Sequence, residues 1–330
     1  MKRAGNLYHR IYDYENLCLA FYKAARGKRT RSEVIEFESH FSFNIGKVRG
    51  QLIRHQPDIG HYRYFTVYDP KLRSICAAFF PERVLHHAVM NVCEPVFESK
   101  GLYDSYACRK GKGSHKAIIR AQGYAEQFGW YLKVDVKKYF DSVDHSVMME
   151  LLSHYFKDRP LLLLFQKLLD TYHLEPGKGM PIGNLISQHL ANVYLTGFDH
   201  FIKEVRRIKG YVRYMDDMLF FGHTKEYLKN EIKKITSYLC EELQLELKSA
   251  MQLNKTRLGI PFLGYRVFAH RLRLTAQSRK RLFRKFKAYE RKWEDGLWDT
   301  DELVRHMEPL INFSTKALRR DMIQLYGIWS

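Results

Sequence analysis

Apolar and polar positions alternate with period two through Trp130-Tyr131-Leu132-Lys133-Val134-Asp135-Val136. Leu132, Val134 and Val136 fall on one side, and Tyr131, Lys133 and Asp135 on the other. That pattern predicts a β-strand with one packed face and Asp135 presented near the C-terminal end of the other. Two shorter β-prone runs follow, Tyr211-Val212-Arg213 and Met218-Leu219-Phe220-Phe221, with Gly210 and Gly222 at their outer ends. Between them lies Tyr214-Met215-Asp216-Asp217, so the pattern predicts a β-hairpin with two adjacent carboxylates at its tip. Helical spacing appears at Ile186, Leu190, Val193, Tyr194, Phe198, Phe201 and Ile202, which share one broad face. Ser187, Gln188, Ala191 and Asn192 fall largely on the other side. Further helix is expected around Ser146–His173. Near the C-terminus, Ser278 is placed to cap a helix whose stripe is Leu282, Phe286, Tyr289 and Trp293.

Asp is common in turns because its side chain caps local backbone groups, and that reading alone explains the hairpin about as well as any chemistry does. The strand carrying Asp135 shifts the balance. A hairpin laid antiparallel beside it brings Asp135 close to Asp216 and Asp217. Three carboxylates in one cleft repel each other and are costly unless cations neutralise them. Hard oxygen ligands in an open cluster suit Mg²⁺, which keeps several waters and binds carboxylates together with substrate phosphates. Two such ions roughly 3.5–4 Å apart activate an attacking hydroxyl and stabilise a leaving pyrophosphate, so the chemistry implied is nucleotidyl transfer.

The Tyr-Met-Asp-Asp box and the Asp135 strand resemble the catalytic motifs of reverse transcriptases. Other segments resemble the same family, in family order, over roughly residues 60–270: Pro81–Ala88 with Glu94–Glu98 and Ser105–His115 (fingers), Gly179–Gln188 (template and incoming nucleotide), and Phe262-Leu263-Gly264-Tyr265 (primer grip). The resemblance implies an α+β right-hand polymerase. Residues 1–125 would form the fingers, with part of 145–178 rejoining them, residues 126–265 the palm, and residues 266–330 a helical thumb. It implies Asp135, Asp216 and Asp217 as catalytic residues, and these with Val136 as the set holding two Mg²⁺. Arg73, Lys71, Phe140, Ile182 and Gly183 would bind the nucleotide, with Phe140 as the steric gate against a 2′-hydroxyl and Arg73 as a clamp whose planar fork suits phosphate. The backbone amides of Val136, Lys137 and Lys138 would face the triphosphate. Ser187, Gln188, Tyr214, Met215 and the segment Phe262, Leu263, Gly264 and Tyr265 would touch template or primer. Lys248 resembles a family lysine near the active site; a solvated lysine ending an amphipathic segment is an equal alternative.

Many reverse transcriptases carry Gln-Gly followed by Ser-Pro where this chain has Ile182-Gly183-Asn184-Leu185-Ile186-Ser187-Gln188. That replacement resembles the reverse transcriptases of diversity-generating retroelements, which copy a template-repeat RNA into cDNA with errors opposite adenine. The cDNA then replaces a variable repeat in a target gene. A glutamine in place of Ile182 offers a directional hydrogen bond near the nascent pair; isoleucine offers shape alone, so a poorly formed pair loses less. The subfamily implies template RNA, primer or cDNA and dNTPs as partners, and a small basic oligomeric accessory protein.

Composition agrees with a polyanionic partner: the net charge is +19 and the pI about 9.6. Arg281, Arg284, Lys285, Arg291 and Lys292 lie mostly off the C-terminal apolar stripe. A charged face is usually just solvated, but its single sign favours a grip on a duplex backbone. Cys18, Cys76, Cys93, Cys108 and Cys240 are odd in number and widely spaced, as expected of reduced thiols in a cytoplasm. No apolar signal core follows Met1-Lys2-Arg3, and no membrane partner is expected. Three rivals stay open. One is a retron or phage-defence reverse transcriptase working on its own noncoding RNA. Another is an RNA-dependent RNA polymerase, against which Phe140 argues. The third is a non-catalytic RNA-binding scaffold, which gains nothing from clustered carboxylates.

Overall fold

The computed structural model describes residues 2–68 and 72–318. In chain order the elements are α1 (Tyr8–Ile11), α2 (Tyr14–Ala25), α3 (Ser32–Ser39), α4 (Phe41–Ile53), β1 (Tyr62–Val67), β2 (Arg73–Ala78), α5 (Phe80–Lys100), α6 (Ser114–Gln127), β3 (Trp130–Asp135), α7 (Tyr139–Ser142), α8 (His145–Tyr155), α9 (Arg159–Asp170), α10 (Leu185–Tyr194) and α11 (Thr196–His200). A π-turn over Phe201–Val205 leads to β4 (Gly210–Tyr214), β5 (Asp217–Gly222), α12 (Lys225–Glu241), β6 (Gln252–Lys255), β7 (Ile260–Phe262), β8 (Tyr265–Val267), β9 (Leu272–Leu274), α13 (Ala276–Glu294) and α14 (Thr300–Leu318).

The centre is a four-stranded antiparallel sheet in the order β4-β5-β3-β6. One face buries Leu132, Val134, Tyr211, Met218 and Phe220 in a large core shared with α1–α5, α8, α9 and α10. The other face is also covered toward the far end of the strands. There Tyr131, Val212, Leu219 and Phe221 pack on α6 and on Ile260, Phe262, Tyr265 and Val267 of the small β7-β8-β9 sheet. The even-numbered side of β3 is thus core throughout. The odd-numbered side changes from core at Tyr131 to polar at Lys133 and Asp135.

Capping fixes where several helices begin. Asp13 accepts the Glu15 and Asn16 amides, and Asp144 accepts those of Ser146 and Val147. Asp158 caps α9 and also accepts the Leu7 and Tyr8 amides at 2.5 and 3.0 Å, fastening the N-terminal chain to the α8–α9 pair. The expected boundaries at 125 and 265 fall inside elements. Helix α6 runs across residue 125 and packs on β4 and β8, and residue 265 opens β8, whose sheet continues to Leu274. The C-terminal helix begins at Thr275 rather than Ser278: the Thr275 hydroxyl accepts the Ser278 amide, and Ser278 is buried in the first turn. Leu282 and Phe286 are buried against Leu274, Met307 and Leu310, whereas Trp293 is exposed. Among the described residues, no helix is long and apolar enough to cross a membrane.

Candidate active site

Strand β3 pairs with β5 in a register that sets Asp135 opposite Asp217, and β4 pairs with β5 so that Tyr214 also meets Asp217. Met215 and Asp216 are the two residues of the turn, and Met215 takes the left-handed φ of 57°. A side chain there is strained by about 1–2 kcal/mol, the kind of cost that collects where geometry is demanded. Asp135 and Asp217 are partly buried, their side chains 32% and 22% exposed.

Each of these two carboxylates has one oxygen tied and one free. Lys248 donates to Asp135 Oδ2 at 2.7 Å, and Lys133 donates to Asp217 Oδ2 at 3.0 Å. Asp135 Oδ1 and Asp217 Oδ1 are buried without a hydrogen-bond partner. Unpartnered buried carboxylate oxygens call for an explanation, and a cation is the natural one. Burial, then the nearby charge of Asp135, push the Asp216 carboxyl from 3.8 up to about 7; burial also raises that of Asp217. Among the described residues, no three His, Cys, Asp or Glu side chains form a ready-made metal cluster. The donor set nonetheless fits Mg²⁺ chemically: hard oxygens, two of them open, and a carboxyl whose ionisation burial and Asp135 make costly. Magnesium commonly completes its shell with water and substrate phosphate, which an incomplete protein cage allows.

The backbone around Asp135 departs from expectation. Lys137 donates its amide to the Glu246 carbonyl at 2.8 Å and its ammonium to the Glu246 carboxylate at 2.9 Å, so neither faces a triphosphate. Val136 bridges Leu247, and the Lys248 amide donates to the Asp135 carbonyl. Residues 246–248 thus run beside the end of β3 and deliver Lys248 to the site. Lys138 is left-handed at φ 45° and starts the turn into α7, where Tyr139 is buried and Phe140 is half-buried.

The loop before α10 docks on β2. Ile182 accepts the Cys76 amide at 2.7 Å, and Asn184 Oδ1 accepts that of Ala78 at 3.1 Å. Gly183, at φ 119°, lies so close that a Cβ would stand 2.7 Å from Ile75 Cγ2, so only glycine fits. The side chain of Ile182 is only half-buried. Arg73 is exposed at the start of β2, while Lys71 lies outside the described residues.

Three expected template or primer contacts point inward. Ser187 is 1% exposed because α10 is covered by α5 and α8, and Ala191, on the same side, is fully buried. Gln188 is half-exposed and accepts from the Cys108 thiol at 3.3 Å; Tyr214 and Met215 are half-buried. Phe262 and Tyr265 are core residues, since a two-residue turn sends the residues flanking it to one face. The turn itself, Leu263 (φ 49°) and Gly264 (φ 86°), is the accessible part and touches α14 through Phe313.

Two charged residues at the site carried no expectation. Lys133 bridges Asp217 to the Pro261 carbonyl at 2.9 Å, joining the carboxylates to the β7–β9 sheet; its place two residues before Asp135, on the same strand face, was the available signal. Arg213 is buried behind the hairpin, and the signal was a charge inside an otherwise apolar strand.

The reverse transcriptase (RNA-dependent DNA polymerase) family profile matches residues 68–267. Protein YkfC of Escherichia coli K12 is 24% identical over 278 residues, covering 68% of this chain and 72% of its own length. The group II intron-encoded protein LtrA of Lactococcus lactis is 28% identical over 194 residues, covering 56% of this chain and 31% of LtrA. In three dimensions, apo telomerase from Candida tropicalis superposes with a TM-score of 0.53 at 10% identity, covering 88% of this chain and 64% of the telomerase. That likeness concerns the fold alone, which is the right-hand polymerase fold. The chain spans less than a third of LtrA and under two thirds of the telomerase. With the three carboxylates, Gly183 and the β4–β5 and β7–β8 hairpins inside the matched span, the chain belongs to the reverse transcriptase family, the RNA-dependent DNA polymerases.

Proposed function

We propose that this chain copies RNA into DNA at Asp135, Asp216 and Asp217, as a reverse transcriptase of the diversity-generating type. The observation that carries the reading of the site is the Asp135–Asp217 register, with one open, buried oxygen on each carboxylate. Asp135, Asp216, Asp217 and the Val136 carbonyl would hold Mg²⁺. Bound ions supply Lewis acidity toward the triphosphate and the primer hydroxyl. The primer 3′ oxygen attacks the α-phosphorus, the bond to the β-phosphate breaks, and pyrophosphate leaves. Lys133 and Lys248 hold the far oxygens of Asp217 and Asp135, so their open oxygens keep one direction as charge changes hands. Phe140 lies beneath the sugar and excludes the 2′-hydroxyl. Arg73 closes on the triphosphate from the β1–β2 hairpin.

The fingers comprise α1–α5 and β1–β2 with α8 and α9, the palm comprises α6, the central sheet and β7–β9, and the thumb comprises α13–α14. The Leu263-Gly264 turn grips the primer. Template contact falls to Gln188, Tyr214 and Met215. The diversity-generating assignment rests on Ile182. Its carbonyl is anchored to β2 while its side chain is half-exposed, which leaves the side chain free to face a nascent pair without altering the loop. Template-repeat RNA and a small basic accessory protein are the partners this implies.

Primer extension on an adenine-containing RNA with Mg²⁺ and dNTPs, followed by sequencing of the cDNA, tests both levels. Errors concentrated opposite adenine support the full reading. Accurate cDNA keeps the polymerase and moves it to a retron or defence class. Absence of product with the cognate RNA and accessory protein present would sink the catalytic reading.

A further inference from the structure

The Arg213 guanidinium is 1% exposed and Asp199 is fully buried. They meet as a two-pronged pair, Nε to Oδ1 at 2.7 Å and Nη2 to Oδ2 at 2.6 Å. The remaining nitrogen, Nη1, donates to the Met215 carbonyl and to Asn192 Oδ1, both at 3.1 Å. Tyr211 adds a hydrogen bond to Asp199 Oδ1 at 2.7 Å, and Asn192 Nδ2 donates to the Ala107 carbonyl at 2.6 Å. The Arg213 backbone pairs with the 104–106 segment on both sides, its amide donating to Asp104 and its carbonyl accepting from Tyr106, each at 2.9 Å. The Arg213 side chain therefore ties together α10, α11 and the turn that carries Asp216, while its backbone adds the 104–106 segment.

Such a pair is a poor device for stability. Burying both charges costs about as much as their attraction returns, and apolar side chains of similar volume often hold a fold equally well. What an apolar pair cannot do is hold the Met215 carbonyl. A peptide unit is planar, so the Met215 oxygen and the Asp216 nitrogen move together. Fixing that oxygen fixes the plane from which the Asp216 side chain departs. This matters because the preceding residue, Met215, is held in the left-handed region and would otherwise relax. Arginine suits the task because its rigid fork meets a carboxylate and a carbonyl at once; a lysine ammonium reaches Asp199 but does not span both.

We propose that Arg213, held by Asp199, is a positioning residue: a brace that sets the Met215–Asp216 peptide and thereby aims the Asp216 carboxylate at Asp135. This rests on the reading of Asp135, Asp216 and Asp217 as the metal-holding set.

The test uses the full chain and Mn²⁺ alone as probe, titrated by calorimetry without nucleic acid. It compares wild type, Asp135→Asn, Arg213→Lys and the triple variant Tyr211→Phe/Asp199→Leu/Arg213→Met, which removes the brace without leaving a buried charge or hydroxyl unpaired. Thermal melting is followed in parallel. The brace predicts a triple variant that melts within a few degrees of wild type yet binds Mn²⁺ at least fivefold more weakly, with Arg213→Lys showing the same loss. Half-saturating Mg²⁺ in single-nucleotide extension should rise by a similar factor while the KM for dNTP stays put. Mn²⁺ affinity equal to wild type in Arg213→Lys overturns the proposal, even if the triple variant fails to fold. Should wild type and Asp135→Asn bind Mn²⁺ alike, the metal reading itself falls and takes the brace with it.

Discussion

Asp216→Asn should make the metal-free protein more stable at pH 8 while abolishing polymerisation. The wild-type carboxyl is pushed from 3.8 to about 7 by burial and by Asp135. A carboxyl whose folded-state value is raised favours folding only while it is protonated. Its contribution is intact below about pH 4, declines as the unfolded chain ionises, and is fully lost once the folded site is forced to ionise above pH 7. Three pH units at about 1.36 kcal/mol each set a ceiling of about 4 kcal/mol. Asp216 is only half-buried, so solvent screening leaves about 1–2 kcal/mol. Asparagine is neutral throughout and escapes the penalty. For a chain of this size that corresponds to a rise in Tm of about 1–3 °C. The assay is thermal melting of both proteins in EDTA at pH 5 and pH 8. The difference in favour of the variant should be small at pH 5 and should widen toward pH 8; contributions from histidines cancel because both proteins carry them. Mg²⁺ should then reverse the order at pH 8, since only the wild type has a carboxylate at position 216 for the ion to pair. A variant that melts at or below wild type in EDTA at pH 8, or a gap that does not grow with pH, would refute the electrostatic account of the site.

Phe140→Ala should admit ribonucleotides, lowering discrimination against them at least tenfold in single-nucleotide extension; unchanged discrimination would leave Phe140 as mere packing beside buried Tyr139. Ile182→Gln should restore a directional contact without moving the loop, because the anchoring bond to Cys76 is backbone to backbone, and errors opposite adenine should fall in sequenced cDNA. An unchanged error spectrum counts against that role. Thr275→Ala removes the cap of α13 and should cost about 1 kcal/mol, read as a Tm lower by about 1–2 °C, with incorporation of the first nucleotide at saturating primer-template unaffected.

The strand and hairpin were legible because period-two alternation and glycine punctuation leave little else for those residues to form. The placement of Asp135 against Asp217 follows once a tight turn fixes the hairpin tip beside the strand. Sidedness was harder to read. Ser187 and Ala191 look like a polar, small-residue face in the sequence, yet small residues also let helices approach closely, and α10 packs against α5 and α8. Phe262 and Tyr265 flank a motif expected to touch primer, but strand geometry turns both into the core and leaves Leu263-Gly264 outside. The helix cap moved three residues because Thr275 and Ser278 are equally good caps by type and only the direction of the chain leaving β9 chooses between them. The 246–248 segment ends a short polar–apolar alternation, Gln244-Leu245-Glu246-Leu247-Lys248, which does not say what it pairs with. Its pairing with Asp135 and Val136 is a long-range contact that only the assembled sheet supplies.

The three carboxylates are handled in two different ways, and the difference explains their behaviour. Asp135 and Asp217 sit at strand ends whose register is dictated by the sheet, and each has a lysine on its far oxygen. Their positions are therefore stable without a metal, and each keeps one oxygen open. Asp216 has neither advantage: it stands in the turn, outside the ladder, and its carboxyl is raised to about 7. Its direction depends on a strained peptide whose carbonyl is held from behind by Arg213. The carboxylate least fixed by secondary structure is thus also the one whose charge most needs a cation. Under the proposed Mg²⁺ binding, Asp135 and Asp217 would be rigid donors and Asp216 a third whose ionisation is coupled to the ion. Proton release on Mg²⁺ binding should accordingly come mainly from Asp216 near neutral pH, and it should disappear in Asp216→Asn while the lysine pairs on Asp135 and Asp217 remain.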